Sequence, residues 1–174
     1  ITQSDPRLTV VEGHVLDVQA VERVIDGSDA VISVFGQVKG SPASLQTDGT
    51  RNIVAAMERH GVRRIISLSG GGLPDPAHDR PKPADHVIRT LLKLLAPQVL
   101  KDAKGHLSVL ESSGLDWTVV RGPRLLDQPL SGDYRVGWVG VDGGTKVGRA
   151  DLAEFILQQV DDRTYLHQLP LVSY

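Results

Sequence analysis

The chain has 174 residues, 40% of them hydrophobic, with 19 basic and 21 acidic side chains and a formal charge of -2. That is enough apolar material for the core of one domain, and the near-neutral balance excludes the broad basic footprint of a nucleic-acid or anionic-membrane binder. The absence of cysteine excludes disulfides, thiolate nucleophiles and cysteine-ligated metal sites, and suits a reducing compartment.

No apolar run approaches the roughly 20 residues of a membrane span, and the opening ITQSDPRL lacks the basic and apolar regions of a signal peptide. The expectation is a soluble, cytoplasmic protein made of a single domain over residues 1–174. Its partners are expected to be small molecules, with no nucleic acid and no membrane, and self-association into a homo-oligomer stays open.

In chain order, short β-branched runs alternate with segments of helical period, the pattern of βαβ units around a parallel sheet. Strands are predicted at 8–12, 30–35, 64–68 and 117–121, each near-continuously apolar, as befits a strand covered on both faces. Helices are predicted at 18–25, 45–60, 84–95, 99–112 and 151–160, interrupted by Pro97 and closed by glycines such as Gly27, Gly61 and Gly114. The four prolines between Leu73 and Pro83 make that stretch a loop, and the glycine-rich 132–148 region reads as a short hairpin and loop. The basic residues Arg89, Lys93, Lys101 and Lys104 read as a solvated amphipathic helix face.

The predicted fold class is α/β: a Rossmann-like, doubly wound parallel sheet in three layers, apparently lacking its first βαβ segment. In the strand order 3-2-1-4-5-6 the first two strands are central and the glycine-rich phosphate loop follows the first. If 8–12 is the third strand and 30–35 the fourth, they flank a gap, and buried strand edges without partners are costly. The alternative is a smaller flavodoxin-like fold, complete in itself.

Open α/β sheets bind ligands beyond the carboxyl ends of their strands, which singles out four places. After the first predicted strand come His14 and Val15, with Asp17 as a helix cap; His14 can meet the edge of an adenine ring or do nothing specific. Phe35-Gly36 follows the second, where a glycine permits close approach of a ligand or simply makes a turn. Ser69-Gly70 ends the third, where the Ser69 hydroxyl either bonds a substrate carbonyl or the nicotinamide amide, or belongs to a flexible turn. Pro123-Arg124 follows the fourth, with Arg124 a cation at the site or a solvated charge. The histidines at 14, 60, 78, 86, 106 and 167 form no HExxH pattern, which leaves a catalytic metal without support. The absence of GxSxG argues against a hydrolase nucleophile at Ser69.

Three runs carry a resemblance: Thr50-Arg-Asn52-Ile-Val-Ala-Ala, Gly61-Val-Arg-Arg-Ile-Ile-Ser-Leu-Ser69 and Ser113-Gly-Leu-Asp-Trp-Thr-Val-Val-Arg121. The chain resembles the atypical short-chain dehydrogenase/reductases with an NmrA-like NAD(P)H-binding domain, nearest to their biliverdin and flavin reductase branch. The likeness continues through Asp127-Gln-Pro-Leu-Ser-Gly-Asp-Tyr134 and the helix from Asp151.

The resemblance implies NADP or NAD as cofactor, with His14 and Val15 beside the adenine and Phe35 and Gly36 along the cofactor. It also implies Ser69 and Gly70 near the nicotinamide and Pro123 with Arg124 beneath it. Two departures stand out. The family's GxxGxxG is absent, and so is its Tyr-x-x-x-Lys pair: Lys104 stands near the expected place as a candidate catalytic residue beside Ser69, but Leu100 precedes it by four. Without a positioned tyrosine to protonate an alkoxide, the expected activity is hydride transfer to a flavin-like, tetrapyrrole or quinone-like acceptor. The alternative is a non-catalytic NAD(P) sensor acting through a protein partner.

Overall fold

The structure, a computed structural model, describes residues 5–174, and of helix residues 88, 89, 92 and 93 the backbone only. The sequence reading of residues 1–4 and of the basic side chains Arg89 and Lys93 therefore lies outside the described residues. The elements run α1 (Val18–Ile25), β1 (Ala30–Ser33), α2 (Leu45–His60), β2 (Arg64–Gly70), α3 (Pro83–Leu95), α4 (Pro97–Glu111), β3 (Asp116–Gly122), β4 (Arg124–Leu126), β5 (Arg135–Gly137), β6 (Lys146–Gly148), α5 (Arg149–Gln158) and β7 (Leu171–Ser173).

Local chemistry sets these boundaries. Asp17 caps α1 by accepting from the amides of Gln19 and Ala20. Gly61, left-handed at φ 71°, ends α2. Pro97 marks the break between α3 and α4 and occupies the first turn of α4, where the missing N–H is not needed. Gly114 closes nothing, because α4 has already ended at Ser112.

The main sheet has the order β1-β2-β3-β7-β5, with β1, β2, β3 and β7 parallel and β5 antiparallel at the edge; β4 and β6 form a separate parallel pair. The 132–148 region is thus no hairpin, since its two strands pair with β7 and β4, strands distant in sequence. Alternation along the strands sends Ile65, Trp117 and Val119 to one face, under α1, α2 and α4. Ile66, Val120 and Val172 go to the other, under α5 with Leu152, Phe155 and Ile156. The result is the expected three-layer, Rossmann-like α/β architecture.

The predicted strand at 8–12 does not form. Residues 8–12 make no ladder, Leu8 is 44% and Val10 59% exposed, and no strand among the described residues pairs with the free edge of β1. An extended run becomes a strand only where a neighbour accepts its backbone hydrogen bonds, and no strand among the described residues pairs with it.

Candidate functional site

The parallel register carries the site. Ser33 lies opposite Ser67 and Ser69 opposite Arg121, so the ends of β1, β2 and β3 open on one edge of the sheet, with Ser69-Gly70 ending β2 and Phe35-Gly36 and Pro123 just beyond β1 and β3. A cleft of about 420 Å³ there is bordered by Gly70, Gly71, Gly122, Pro123, Arg124 and Val139, among others. Its walls approach closely: a Cβ on Gly71 would come within 3.1 Å of the Pro123 Cα. At Gly70 and Gly36 an added Cβ would meet nothing within 4 Å. The protein itself leaves that space open.

A second cavity, about 330 Å³ and mainly apolar, lies between β1, α1 and the 11–15 segment and is lined by His14, Val15 and Phe35. Val15 and Phe35 pack over Gly49 of α2, where any side chain would collide with both, and Asn52 donates to the Val15 carbonyl. The predicted residues thus divide: Gly70, Pro123 and Arg124 border the first cavity, and His14, Val15 and Phe35 the second. The exposed His14 already uses Nδ1 to accept from the Leu16 amide.

Ser69 is 4% exposed, and its hydroxyl is enclosed without a hydrogen-bond partner. Buried hydroxyls are ordinarily bonded, and Ser69 departs from that rule at the carboxyl end of β2. Lys104 is not placed with it. That lysine is exposed, whereas Asp102, Ala103 and His106 occupy the buried face of α4; at 100° per residue position 104 points away from them.

The buried face of α4 holds a polar network instead. The Asp102 carboxylate accepts from the Gln46 amide, the Thr47 amide and hydroxyl, and the Gln37 amide group. Burial works against its charge, yet these donors hold its carboxyl below the ordinary value. One turn later, His106 meets the Ser67 hydroxyl at 2.8 Å, and burial pushes its pKa down to about 4. It is a neutral imidazole at physiological pH.

These groups fit the nicotinamide end of a dinucleotide: an unpartnered buried hydroxyl and an open glycine-walled cleft. The phosphates fare differently, because four of the five described helices already hold a carboxylate at the amino terminus, where an anion would sit. Asp17 caps α1, Asp102 takes the first amides of α2, Asp85 accepts from the Lys82 amide before α3, and Asp151 stands in the first turn of α5.

The loop after β2 was legible only as a loop. It holds Asp75, His78 and Asp79, the last bound to Arg121 of β3. The available signal was its position directly after the Ser69-Gly70 edge.

Comparison with known proteins identifies relatives. A family described as NAD(P)H-binding matches residues 1–163. An N-acetyl-alpha-D-glucosaminyl-diphospho-ditrans,octacis-undecaprenol 4-epimerase from Escherichia coli O157:H7 is 36% identical over 177 residues, covering 87% of this chain. The chain spans about half, 51%, of that relative's length.

Among solved structures, a short-chain dehydrogenase/reductase from Veillonella parvula DSM 2008 in complex with NADP superposes with a TM-score of 0.75. It shares 20% identity and covers 98% of this chain and 74% of its own. ChuY, an anaerobillin reductase from Escherichia coli O157:H7, superposes with a TM-score of 0.68 at 18% identity, covering 92% of this chain and 72% of its own.

Proposed function

We propose, because this chain belongs to the NAD(P)H-binding family, that it serves the NAD(P)H-dependent reduction of a planar conjugated acceptor, flavin-like, tetrapyrrole or quinone-like. The observation that carries this reading is the buried, unpartnered hydroxyl of Ser69, directly before Gly70 at the border of the open cleft. Ser69, Gly70, Pro123 and Arg124 would hold the nicotinamide end, and His14, Val15, Phe35 and Gly36 the adenosine end. When bound, the reduced nicotinamide supplies a hydride. Ser69 would orient the ring or the acceptor carbonyl by a hydrogen bond, and the open space at Gly70 would leave room for the acceptor beside it.

The tyrosines favour this class of acceptor over an alcohol or ketone. Tyr134 and Tyr165 pack with Phe155 of α5, and Tyr174 donates to Asp151 of the same helix at 2.5 Å. All three are engaged with the α5 layer, and Ser69 points to the opposite face with Ser67 and His106. A conjugated acceptor spreads developing charge over its own heteroatoms and needs no tyrosine beside a single alkoxide. The same placement counts against the sugar-epimerising activity named for the relative above. The similar folds of an NADP-bound short-chain dehydrogenase/reductase and of an anaerobillin reductase agree with the reductase reading.

The test is to titrate the protein with NADPH and NADH, then follow loss of dinucleotide absorbance with FMN, a linear tetrapyrrole or a benzoquinone as acceptor. Turnover with at least one is expected. Tight binding without turnover on any would replace the enzyme by a dinucleotide sensor, and absence of binding would remove the reading altogether.

A further inference from the structure

The loop between β2 and α3 carries a carboxylate–imidazole pair that the mechanism above leaves unused. Asp75 is 3% exposed. Its Oδ1 accepts the amides of Ala77 and His78, and its Oδ2 meets His78 Nδ1 at 2.9 Å. A buried carboxylate at that distance fixes the proton on Nδ1 and leaves Nε2 as the ring nitrogen that exchanges with its surroundings. The His78 side chain is 42% exposed and stacks on Trp138, with centroids 5.0 Å apart and planes 28° from parallel. Trp138 Nε1 is enclosed and has no partner among the described residues.

The two segments that carry this pair both reach the cleft border. Val139, next to Trp138, borders the cleft; its amide donates to Asp79 Oδ1 at 3.1 Å, and its carbonyl accepts from the Arg80 amide at 2.9 Å. The backbone on either side of the stacked rings is therefore joined at the cleft wall, and the loop itself begins at Gly71 and Gly72, which border the same space. An indole face with an ionisable imidazole against it suits a flat conjugated ligand that must receive a proton.

We infer that His78, oriented by Asp75, is the acid that protonates the acceptor as it is reduced, and that Trp138 supplies part of the surface its rings lie against. This rests on the reductase reading. Two-electron reduction takes a hydride from the dinucleotide, which is oxidised, and a proton from the protein. The His78 Nε2–H bond breaks as an acceptor N–H or O–H bond forms, and a water-derived proton restores the imidazolium. The charged groups around the pair are Asp75, the Arg121-bound Asp79, Arg80 on the same loop, Asp142, which accepts from the Trp138 amide, and Asp85 and Arg124 at the cleft. Asp75 is the one in contact with the ring.

The experiment combines rates with a direct titration. Nuclear magnetic resonance of histidine-labelled protein gives the pKa of His78, and kcat is measured across the same pH range. In the wild type kcat should fall as pH rises through that pKa. His78→Gln should lower kcat by about 100-fold or more, remove the pH step, and leave the dissociation constants of NADPH and FMN unchanged. Asp75→Asn should lower the resonance pKa and the kinetic pKa together.

A His78→Gln protein with wild-type kcat overturns the inference, as does a kinetic step that stays fixed while the resonance pKa moves; His78→Gln alone decides the matter if Asp75→Asn does not fold. Wild-type protein that binds no dinucleotide overturns the underlying reading as well, a result distinct from either of these.

Discussion

The guanidinium of Arg121 grips the carboxylate of Asp79 through two hydrogen bonds of 2.9 and 3.0 Å, with the arginine side chain wholly buried and the aspartate 4% exposed. Two further arginine donors go to the carbonyls of Leu169 and Leu73, so one side chain of β3 fastens the loop after β2 to the sheet. Asp79→Asn leaves that charge buried and uncompensated and should cost about 3–5 kcal/mol, read from denaturant unfolding; an unchanged midpoint would count against the pair. Burial acts to raise the Asp79 pKa, but the Arg121 bonds and the backbone amides prevail and hold it below the usual value. A lowered carboxylate contributes stability that is complete above its unfolded pKa of about 3.9 and is lost as pH falls through the folded value. The variant should therefore show a shallower loss of stability in acid than the wild type.

His106 gives the opposite acid–base case. Its pKa is driven down to about 4 by burial, whereas the unfolded chain titrates near 6.5. Between those values the unfolded state binds the extra proton, so stability is full above about pH 6.5 and declines as pH falls toward 4, by roughly 3 kcal/mol in all. His106→Gln should flatten that part of the stability–pH curve. A curve with the same slope as the wild type would place the titration elsewhere.

Ser69→Ala removes a hydroxyl with no protein partner. Its effect on unfolding should be small, about 0.5 kcal/mol or less in either direction, while kcat/KM for the dinucleotide-dependent reaction falls by about tenfold or more. Stability loss without a kinetic effect would leave Ser69 as a turn residue.

Much of this was legible in the chain itself. α1 and α2 are bounded by signals that act locally, the Asp17 cap and the left-handed Gly61, and both helices fall where the apolar period placed them. The parallel strands at 30, 64 and 117 announced themselves by unbroken β-branched runs. Residues 8–12 carry the same signal and yet form no strand, because composition reports a readiness to pair and not the presence of a partner. The short strands β4 to β7 escaped for the complementary reason: three residues each, they exist only through pairings that span up to dozens of positions.

Position at the end of a strand was enough to single out Gly70 and Pro123, which border the cleft, and Ser69 beside them. Lys104 was misjudged because a motif offset does not say which face of α4 a residue occupies.

The separation of aromatic residues between the layers has a practical consequence. Tyr134 and Tyr165 lie in the α5 core, whereas Trp117 sits in the core beneath α1, α2 and α4, and Trp138 rests against His78 by the cleft. In the near-ultraviolet circular dichroism of one sample, the Trp117 indole and the Tyr134 and Tyr165 phenols therefore report on opposite sides of the sheet. If the layers melt as one unit the two signals will vanish together; if the α5 side loosens first, the tyrosine bands will fade while the tryptophan fine structure persists, giving a label-free view of how the layers come apart.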